Sequence, residues 1–450
     1  AVEGRFDDYF GVFLRLGVLC CHKFRWFWNY QSTKIHLFGE KGIEGGDYFI
    51  FLRFFPTFET QSRAVMFLKR LSVINFKNIP GANLEFSSRV NCFVGDNGAG
   101  KTNLVDAVHY LSMCKSSLTM TDGQSVRHGC DAFLLEGEYL SDGGRIERVV
   151  CGFRRSGGKT VKRNGKEYEK LADHIGLVPV VIVSPADAFL VSDAADERRR
   201  YLNAFLSQLD RDYLTAIVKY NHVLGERNRL LKRPDWPGGE ELLDVLDQQL
   251  VHWGETVSRK RRELVERLAP QVAEYYRILS DDRERIELSY HSELNDRPFA
   301  ELLAAAREKD RISQFSTTGV HRDDLRMRIG GYPLKKYGSQ GQQKSFLVAL
   351  KLAQYRLAAA AAGEKPILLL DDLFDKLDMQ RVEQLIRLVS GPEFGQIFIT
   401  DCNKVRLESI LERSGEPYTL MRVEGGEPCP AEAGGRKPGE VSPENGEEGR

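Results

Sequence analysis

Between residues 67 and 165 apolar and polar positions alternate in short runs, whereas from Asp196 the apolar residues recur at helical spacing, so strand character gives way to helix character. Phe67 to Phe76 and Leu84 to Phe86 predict short strands on either side of a turn at Asn78-Ile79-Pro80-Gly81. Val90 to Val94 is a compact apolar strand feeding a glycine-rich loop, and Asn103 to Met113 resumes at helical spacing. Phe133 to Gly165 alternates and is broken at Asp142-Gly143-Gly144 and Ser156-Gly157-Gly158, which predicts antiparallel strands. From Asp196 to about Leu279 the pattern is helical and laced with charge, with an interruption at Pro234 to Gly239. Strand character returns at Arg285 to Tyr290 and at Leu325 to Ile329. A helix over Gln342 to Ala362, a strand over Ile367 to Leu370, a helix over Met379 to Val389 and a strand over Gln396 to Thr400 follow, with no internal repeat.

The two ends depart from this pattern. Residues 1 to 65 are about a quarter aromatic, hold neither period, and open without methionine; Met66 reads as a natural start, and the segment before it as an upstream extension. Gly425 to Arg450 is rich in Gly, Pro and Glu, so it is expected to be a disordered tail with too little apolar surface to offset its ordering entropy. Composition narrows the class. Lysine plus arginine and aspartate plus glutamate both number 64 in a chain of 450 residues, so no global field draws it to nucleic acid or anionic lipid, and any DNA site must be a local basic face. The eight cysteines lack CxxC or Cys/His spacing, which speaks against structural zinc and against a disulfide framework. The best apolar run, Phe10 to Cys21, carries Arg15 and is shorter than the ~20 residues that span a bilayer. No membrane association and a cytoplasmic location are the resulting expectations.

Three segments carry chemistry. Gly95-Asp96-Asn97-Gly98-Ala99-Gly100-Lys101-Thr102 matches the phosphate-binding loop pattern, with a strand before it and a helix after it. Its glycines let backbone N–H groups converge on a phosphate at a helix N-terminus, Lys101 neutralises the β- and γ-phosphates, and the Thr102 hydroxyl ligates Mg²⁺. ATP and Mg²⁺ are therefore the expected cofactors. Pro366 to Leu370 is an apolar strand ending in Asp371-Asp372, with Asp371 expected in the Mg²⁺ shell and Asp372 expected to polarise the attacking water. Two adjacent acids at the edge of an apolar strand repel each other unless a cation or proton sits there. Tyr337-Gly338-Ser339-Gln340-Gly341-Gln342-Gln343-Lys344 opens the helix that follows; taken alone it is a well-capped helix start that offers Ser339 Oγ and backbone N–H groups to an anion. Its resemblance to the signature segment of ABC-class ATPases implies that Ser339, Gly341 and Gln342 lie at the nucleotide, Ser339 with a catalytic role beside Lys101 and Asp372.

In that order and spacing, the segments resemble ABC-class ATPases, and residues 66 to about 425 resemble the RecF family of bacterial DNA replication and repair proteins. The likeness rests on Phe67-Leu68-Lys69-Arg70-Leu71, Asn75-Phe76-Lys77-Asn78, the phosphate loop, Ser184-Pro185-Ala186-Asp187 followed by Arg198-Arg199-Arg200, Thr318 to Leu325, and Ser339 to Lys344. The resemblance implies an α/β fold: an ABC-type ATPase head of the P-loop NTPase class, with an inserted, mostly helical second lobe. Residues 66–195 would form the N-terminal part of the head, 196–312 the helical lobe, and 313–424 the C-terminal part. It implies slow ATP hydrolysis used as a switch, an ATP-dependent homodimer, and binding to double- and single-stranded DNA at junctions or gaps. Work with RecO and RecR in recombinase loading and the SOS response is implied as well. Asp375-Lys376-Leu377-Asp378 falls where this class has its dimer-contacting loop, and Asp401 where transporters carry a switch histidine. The alternative is an ABC-class motor or scaffold ATPase not dedicated to DNA. Candidate DNA contacts are the clusters Arg154-Arg155, Lys162-Arg163, Arg198 to Arg200, Arg227 with Arg229, Lys232-Arg233 and Arg259 to Arg262, which compete with a structural role in ion pairs.

Overall fold

Strand β3 (Val90–Val94) lies in the middle of a sheet, and all five of its residues are buried. The computed structural model describes residues 66–141, 143–192, 195–233, 237–373, 379–414 and 417–430. The aromatic-rich segment 1–65, residues 431–450 and the expected dimer-contacting loop at 375–378 lie outside the described residues.

Continuous apolar runs produce the central sheet. β8 (Val180–Val183), β12 (Ile367–Leu370), β13 (Ile397–Asp401) and β14 (Tyr418–Glu424) run parallel to β3, and β15 (Glu427–Pro430) closes one edge antiparallel, in the order β15-β14-β3-β13-β12-β8. Parallel strands covered on both faces need no alternation, which is why VNCFV, ILLL and IFITD are apolar almost throughout. A second sheet is antiparallel in the order β2-β1-β4-β5-β6-β7: β1 (Met66–Phe76), β2 (Ile79–Glu85), β4 (Ala132–Ser141), β5 (Ile146–Arg154), β6 (Gly158–Arg163) and β7 (Lys166–Glu167). Helix α1 (Lys101–Met113) is buried on nearly every side because it packs against both sheets. Edge-to-face rings of Phe76, Tyr110 and Phe133 fill its contact with the antiparallel sheet, and Phe86 meets Phe93 and Phe398 on the parallel one.

Two boundaries differ from the expectation. The first turn sits at Lys77-Asn78, with Asn75 and Lys77 at positive φ, and Ile79 to Gly81 already belong to β2. Pro80 reads as a turn residue in sequence, yet β2 is an edge strand, where the missing N–H leaves no ladder bond unmade. At the other end, residues 425–430 are not tail: Gly425 and Gly426 form the turn of the β14–β15 hairpin. A glycine pair supplies the positive φ of such a turn, which makes it look like a flexible segment by composition alone.

The charged middle of the chain is helical as expected. It comprises α2 (Ala195–Leu209), α3 (Arg211–Leu231), the 42-residue α4 (Gly239–Ser280) and α5 (Phe299–Ser313). A three-stranded sheet, β11 (Tyr332–Pro333), β10 (Asp324–Ile329) and β9 (Ile286–His291), attaches to it. Helix α6 (Gln340–Ala362) packs between α4 and β8, so Leu264, Leu350 and Val181 belong to one continuous apolar core. Two further helices are α7 (Met379–Val389) and α8 (Lys404–Ser414), and single helical turns form at Phe189–Ser192 and Leu334–Tyr337. No helix among the described residues is long and apolar enough to cross a membrane.

Several cations proposed for DNA are instead structural. Arg227 is 0% exposed and bonds Asp247, Asp310 and Ser316. Arg261 is 1% exposed and reaches Asp323 at 3.0 Å, Val320 O at 2.8 Å, Asn203 at 2.8 Å and the Tyr213 hydroxyl at 3.1 Å. Arg198 is paired with Asp324, Arg199 with Asp196 and the Asp323 carbonyl, and Arg163 with Glu147. Long helices in sequence show their arginines without showing which face is covered. Burial raises the Asp323 carboxyl, opposed by Arg261, so removing the arginine strands a buried acid. Arg261→Leu is expected to destabilise the protein by about 3–5 kcal/mol in urea unfolding, against less than about 0.5 for exposed Arg262→Leu. Equal midpoints for the two variants would show that Arg261 is not a structural cation.

Candidate functional site

The loop after β3 is shaped by what surrounds it. Gly95 has φ +155°, and a Cβ there would lie 2.3 Å from the Val423 carbonyl of β14, so only glycine fits. Gly98 and Gly100 also have positive φ, and no side chain caps the start of α1. The first N–H groups of that helix therefore remain as donors for an anion. Gly426 N donates to the Ala99 carbonyl at 2.8 Å, the Asn78 amide donates to the Gly98 carbonyl at 3.3 Å, and Asn103 donates to Asn78 at 2.8 Å. Sequence reasoning missed these three supports. Asn78 stands out as a turn residue and within the segment Asn75 to Asn78 that carries the family resemblance, neither of which shows its contact with the loop, and Gly426 falls in the expected tail.

Lys101 folds over its own loop, donating to the Gly95 carbonyl at 2.7 Å and the Asp96 carbonyl at 3.0 Å. Phosphate oxygens would replace those neutral acceptors with charged ones, a stronger pairing for an ammonium. Facing it, the Thr102 hydroxyl donates to Asp371 Oδ1 at 2.9 Å, bringing together residues 269 positions apart. Thr400, on the intervening strand β13, donates to the same oxygen at 2.8 Å and accepts from Asp372 N at 2.8 Å. Asp371 is 2% exposed, and burial raises its carboxyl above the ordinary carboxylate range, with the charge of Asp372 pushing the same way against Thr400, Thr102 and Lys101. A buried pair of hard oxygen ligands whose charge is unfavourable in isolation fits a divalent cation. Asp372 has φ +45°, a left-handed backbone that an aspartate tolerates better than most residues but still at a cost.

The remaining expected site residues lie at the N-terminus of α6. Ser339 and Gln342 form a reciprocal capping box, Ser339 Oγ accepting from Gln342 N and Gln342 Oε1 accepting from Ser339 N. Gln342 Nε2 also donates to Glu284 at 2.6 Å, and Arg381 donates to the Gly341 carbonyl at 3.0 Å. Among the described residues no hydrogen bond joins Ser339, Gly341 or Gln342 to residues 95–102. Lys344, one turn into α6, donates to the Leu373 carbonyl at 2.5 Å and ties this helix to the chain just after Asp372. Asp401 is buried and held by Arg406 at 2.8 Å, with Asn403 N also donating to it, while Asn403 Oδ1 accepts from Arg406 N and caps α8.

A family model of the AAA domain matches residues 70–288. The DNA replication and repair protein RecF of Bacteroides thetaiotaomicron is 47% identical over 361 residues, spanning 80% of this chain and 98% of its own. That of Parabacteroides distasonis is 48% identical over 367 residues, spanning 82% and 100%. Among solved structures, the recombination mediator protein RecF bound to ATP, in the RecFOR pathway, superimposes with a TM-score of 0.75 at 28% identity, covering 83% of this chain and all of that one. The Bacteroides and Parabacteroides relatives are 47–48% identical and matched over 98–100% of their own length, and the chain belongs to the RecF family of DNA replication and repair proteins.

Proposed function

We propose that this chain is an ATP-switched DNA-binding protein of replication and recombinational repair. The observation that carries the reading is the convergence of Lys101, Thr102, Asp371 and Thr400 beside an uncapped helix N-terminus, because it forms a triphosphate cradle and a two-oxygen cation site in one place. Residues 95–102 hold the phosphates, Thr102 and Asp371 hold Mg²⁺, and Asp372 orients and polarises the attacking water. Mg²⁺ in this position supplies neutralising charge at the β- and γ-phosphates. An aspartate at that position has a shorter reach than a glutamate, which favours slow turnover and a long-lived ATP state.

Ser339 and Gly341 complete the nucleotide site of a second copy, so ATP joins two heads in a C₂ dimer. The ATP-loaded dimer binds DNA at single-strand/double-strand junctions or gaps and assists recombinase loading and the SOS response. The RecFOR assignment of the solved relative supports RecO and RecR as partners. Regions 66–195 and 313–424 act as the head, with 196–312 as the helical lobe. ATP turnover with and without gapped DNA tests the proposal. Stimulation by DNA is expected, and a rate indifferent to DNA would favour a motor or scaffold ATPase with another client.

DNA affinity should fall steeply with salt. Solvent-facing cations such as Arg154, Arg155 and Arg262 can neutralise phosphates, which releases counterions at a slope of about 0.9 per phosphate on duplex. Contacts to phosphate carry little sequence preference. Anisotropy titrations at several salt concentrations measure both properties, and salt-independent binding would exclude a backbone-reading site.

A further inference from the structure

The stretch from Leu325 to Gly363 contains seven cations and no acidic residue, in a chain whose overall charge is zero. Three of the seven are engaged: Lys344 bonds the Leu373 carbonyl, Lys351 pairs with Asp187, and Arg356 pairs with Glu274. The other four, Arg326 and Arg328 on β10 and Lys335 and Lys336 after β11, are exposed and have no acid partner among the described residues. Glu287 stands opposite Arg328 in the strand register, yet no ion pair forms between them.

Two large aromatic rings share this region. Tyr332 is 60% exposed and Tyr337 64%, and their centroids lie 5.1 Å apart. Packing does not explain them, because the same short segment already anchors itself through Leu334, which is fully buried. Gly338 N and the Gln343 amide fasten the helical turn Leu334–Tyr337 to the start of α6, at 2.9 Å to the Leu334 and Gly338 carbonyls respectively. The tyrosine pair is therefore held next to Ser339.

We infer that Tyr332, Lys335, Lys336 and Tyr337 form a platform for single-stranded DNA, the tyrosines stacking on bases and the lysines meeting the backbone. The inference rests on the DNA-binding reading above and adds its location. Exposed aromatics interleaved with unpaired cations are the combination that holds a single strand, since unpaired bases offer their faces and duplex bases do not. Charge alone suits any polyanion, but the ring pair selects for bases. The platform adjoins Ser339, the residue assigned above to the partner's ATP.

The test uses the full chain, a fluorescent oligo-dT and a fluorescent duplex of equal length. Tyr332→Ala/Tyr337→Ala is expected to weaken oligo-dT binding at least tenfold while leaving duplex binding within twofold. Tyr332→Phe/Tyr337→Phe should keep wild-type affinity, because stacking survives loss of the hydroxyls. Lys335→Glu/Lys336→Glu should lower the salt slope on oligo-dT by about 1.4, two phosphates at ~0.7 each. All these side chains are exposed, so an unchanged melting midpoint verifies the fold. If the wild type binds neither probe, the DNA-binding reading fails and this inference with it. If the wild type binds oligo-dT and the double alanine variant binds equally well, only the platform is overturned. Unchanged oligo-dT affinity with lost ATP-dependent dimerisation would assign the tyrosines to a second copy, and with weakened ATP binding to adenine.

Discussion

Lys101→Ala lowers ATP affinity by on the order of a hundredfold, or about 3 kcal/mol, and abolishes measurable turnover. The magnitude follows from what replaces the lysine's present partners. Its ammonium bonds two backbone carbonyls within the loop, and both contacts are neutral acceptors. Binding of a triphosphate exchanges them for charged oxygens, and hydrogen bonds involving charged groups contribute about 1.5–3 kcal/mol each. The ground state without nucleotide should change little, because Gly95 and Asp96 lie at a loop mouth where water can satisfy their carbonyls. Melting curves separate the two effects. Without nucleotide the midpoints of wild type and variant should agree, whereas excess ATP should raise only the wild type, since stabilisation by a ligand grows as RT ln(1 + [L]/Kd). An equal ATP-induced rise in both proteins would remove Lys101, and with it the loop, from the nucleotide site.

The parts of this site that sequence made legible are those where one segment does one job. The phosphate loop was readable because its glycines, lysine and threonine are contiguous, and because the strand before it and the helix after it have opposite periods. The acid pair was readable because an apolar strand rarely ends in two carboxylates. Thr400 was not, because a threonine at the end of a β-branched strand is ordinary, and only the order β3-β13-β12 places it between Thr102 and Asp371. The loop's outer support was hidden for a related reason. Asn78 and Gly426 lie 348 residues apart and meet only because the β14–β15 hairpin folds beside the β1–β2 turn. Composition misled in two places: two adjacent glycines resembled tail, and arginines on long helices resembled a DNA face. Arg227 and Arg261 show the limit of charge counting, since their acids come from Asp310 and Asp323, well outside the helices that carry the arginines.

Ser339→Arg is expected to leave ATP binding by a single head nearly intact and to abolish dimerisation and the turnover that depends on it. Ser339 is exposed at the start of α6, and its bonds run to Gln342 rather than to the loop of its own chain. Losing its cap costs about 1 kcal/mol of helix stability, too little to unfold a head with so large a core. In the proposed C₂ assembly the new cation falls on the nucleotide of the other head, where bulk obstructs closure and the charge competes with Lys101 and Mg²⁺ for the phosphates. Mixing distinguishes this geometry from a local defect. In a heterodimer of Lys101→Ala and Ser339→Arg chains, one composite site carries both lesions and the other carries neither. Two inactive preparations mixed in equal amounts should then recover up to about a quarter of wild-type activity, because half of the dimers are mixed and each has one intact site. With heterodimers verified by differently tagged chains, a mixture as inactive as its components would mean that each head completes its own nucleotide site and that Ser339 has no role in trans.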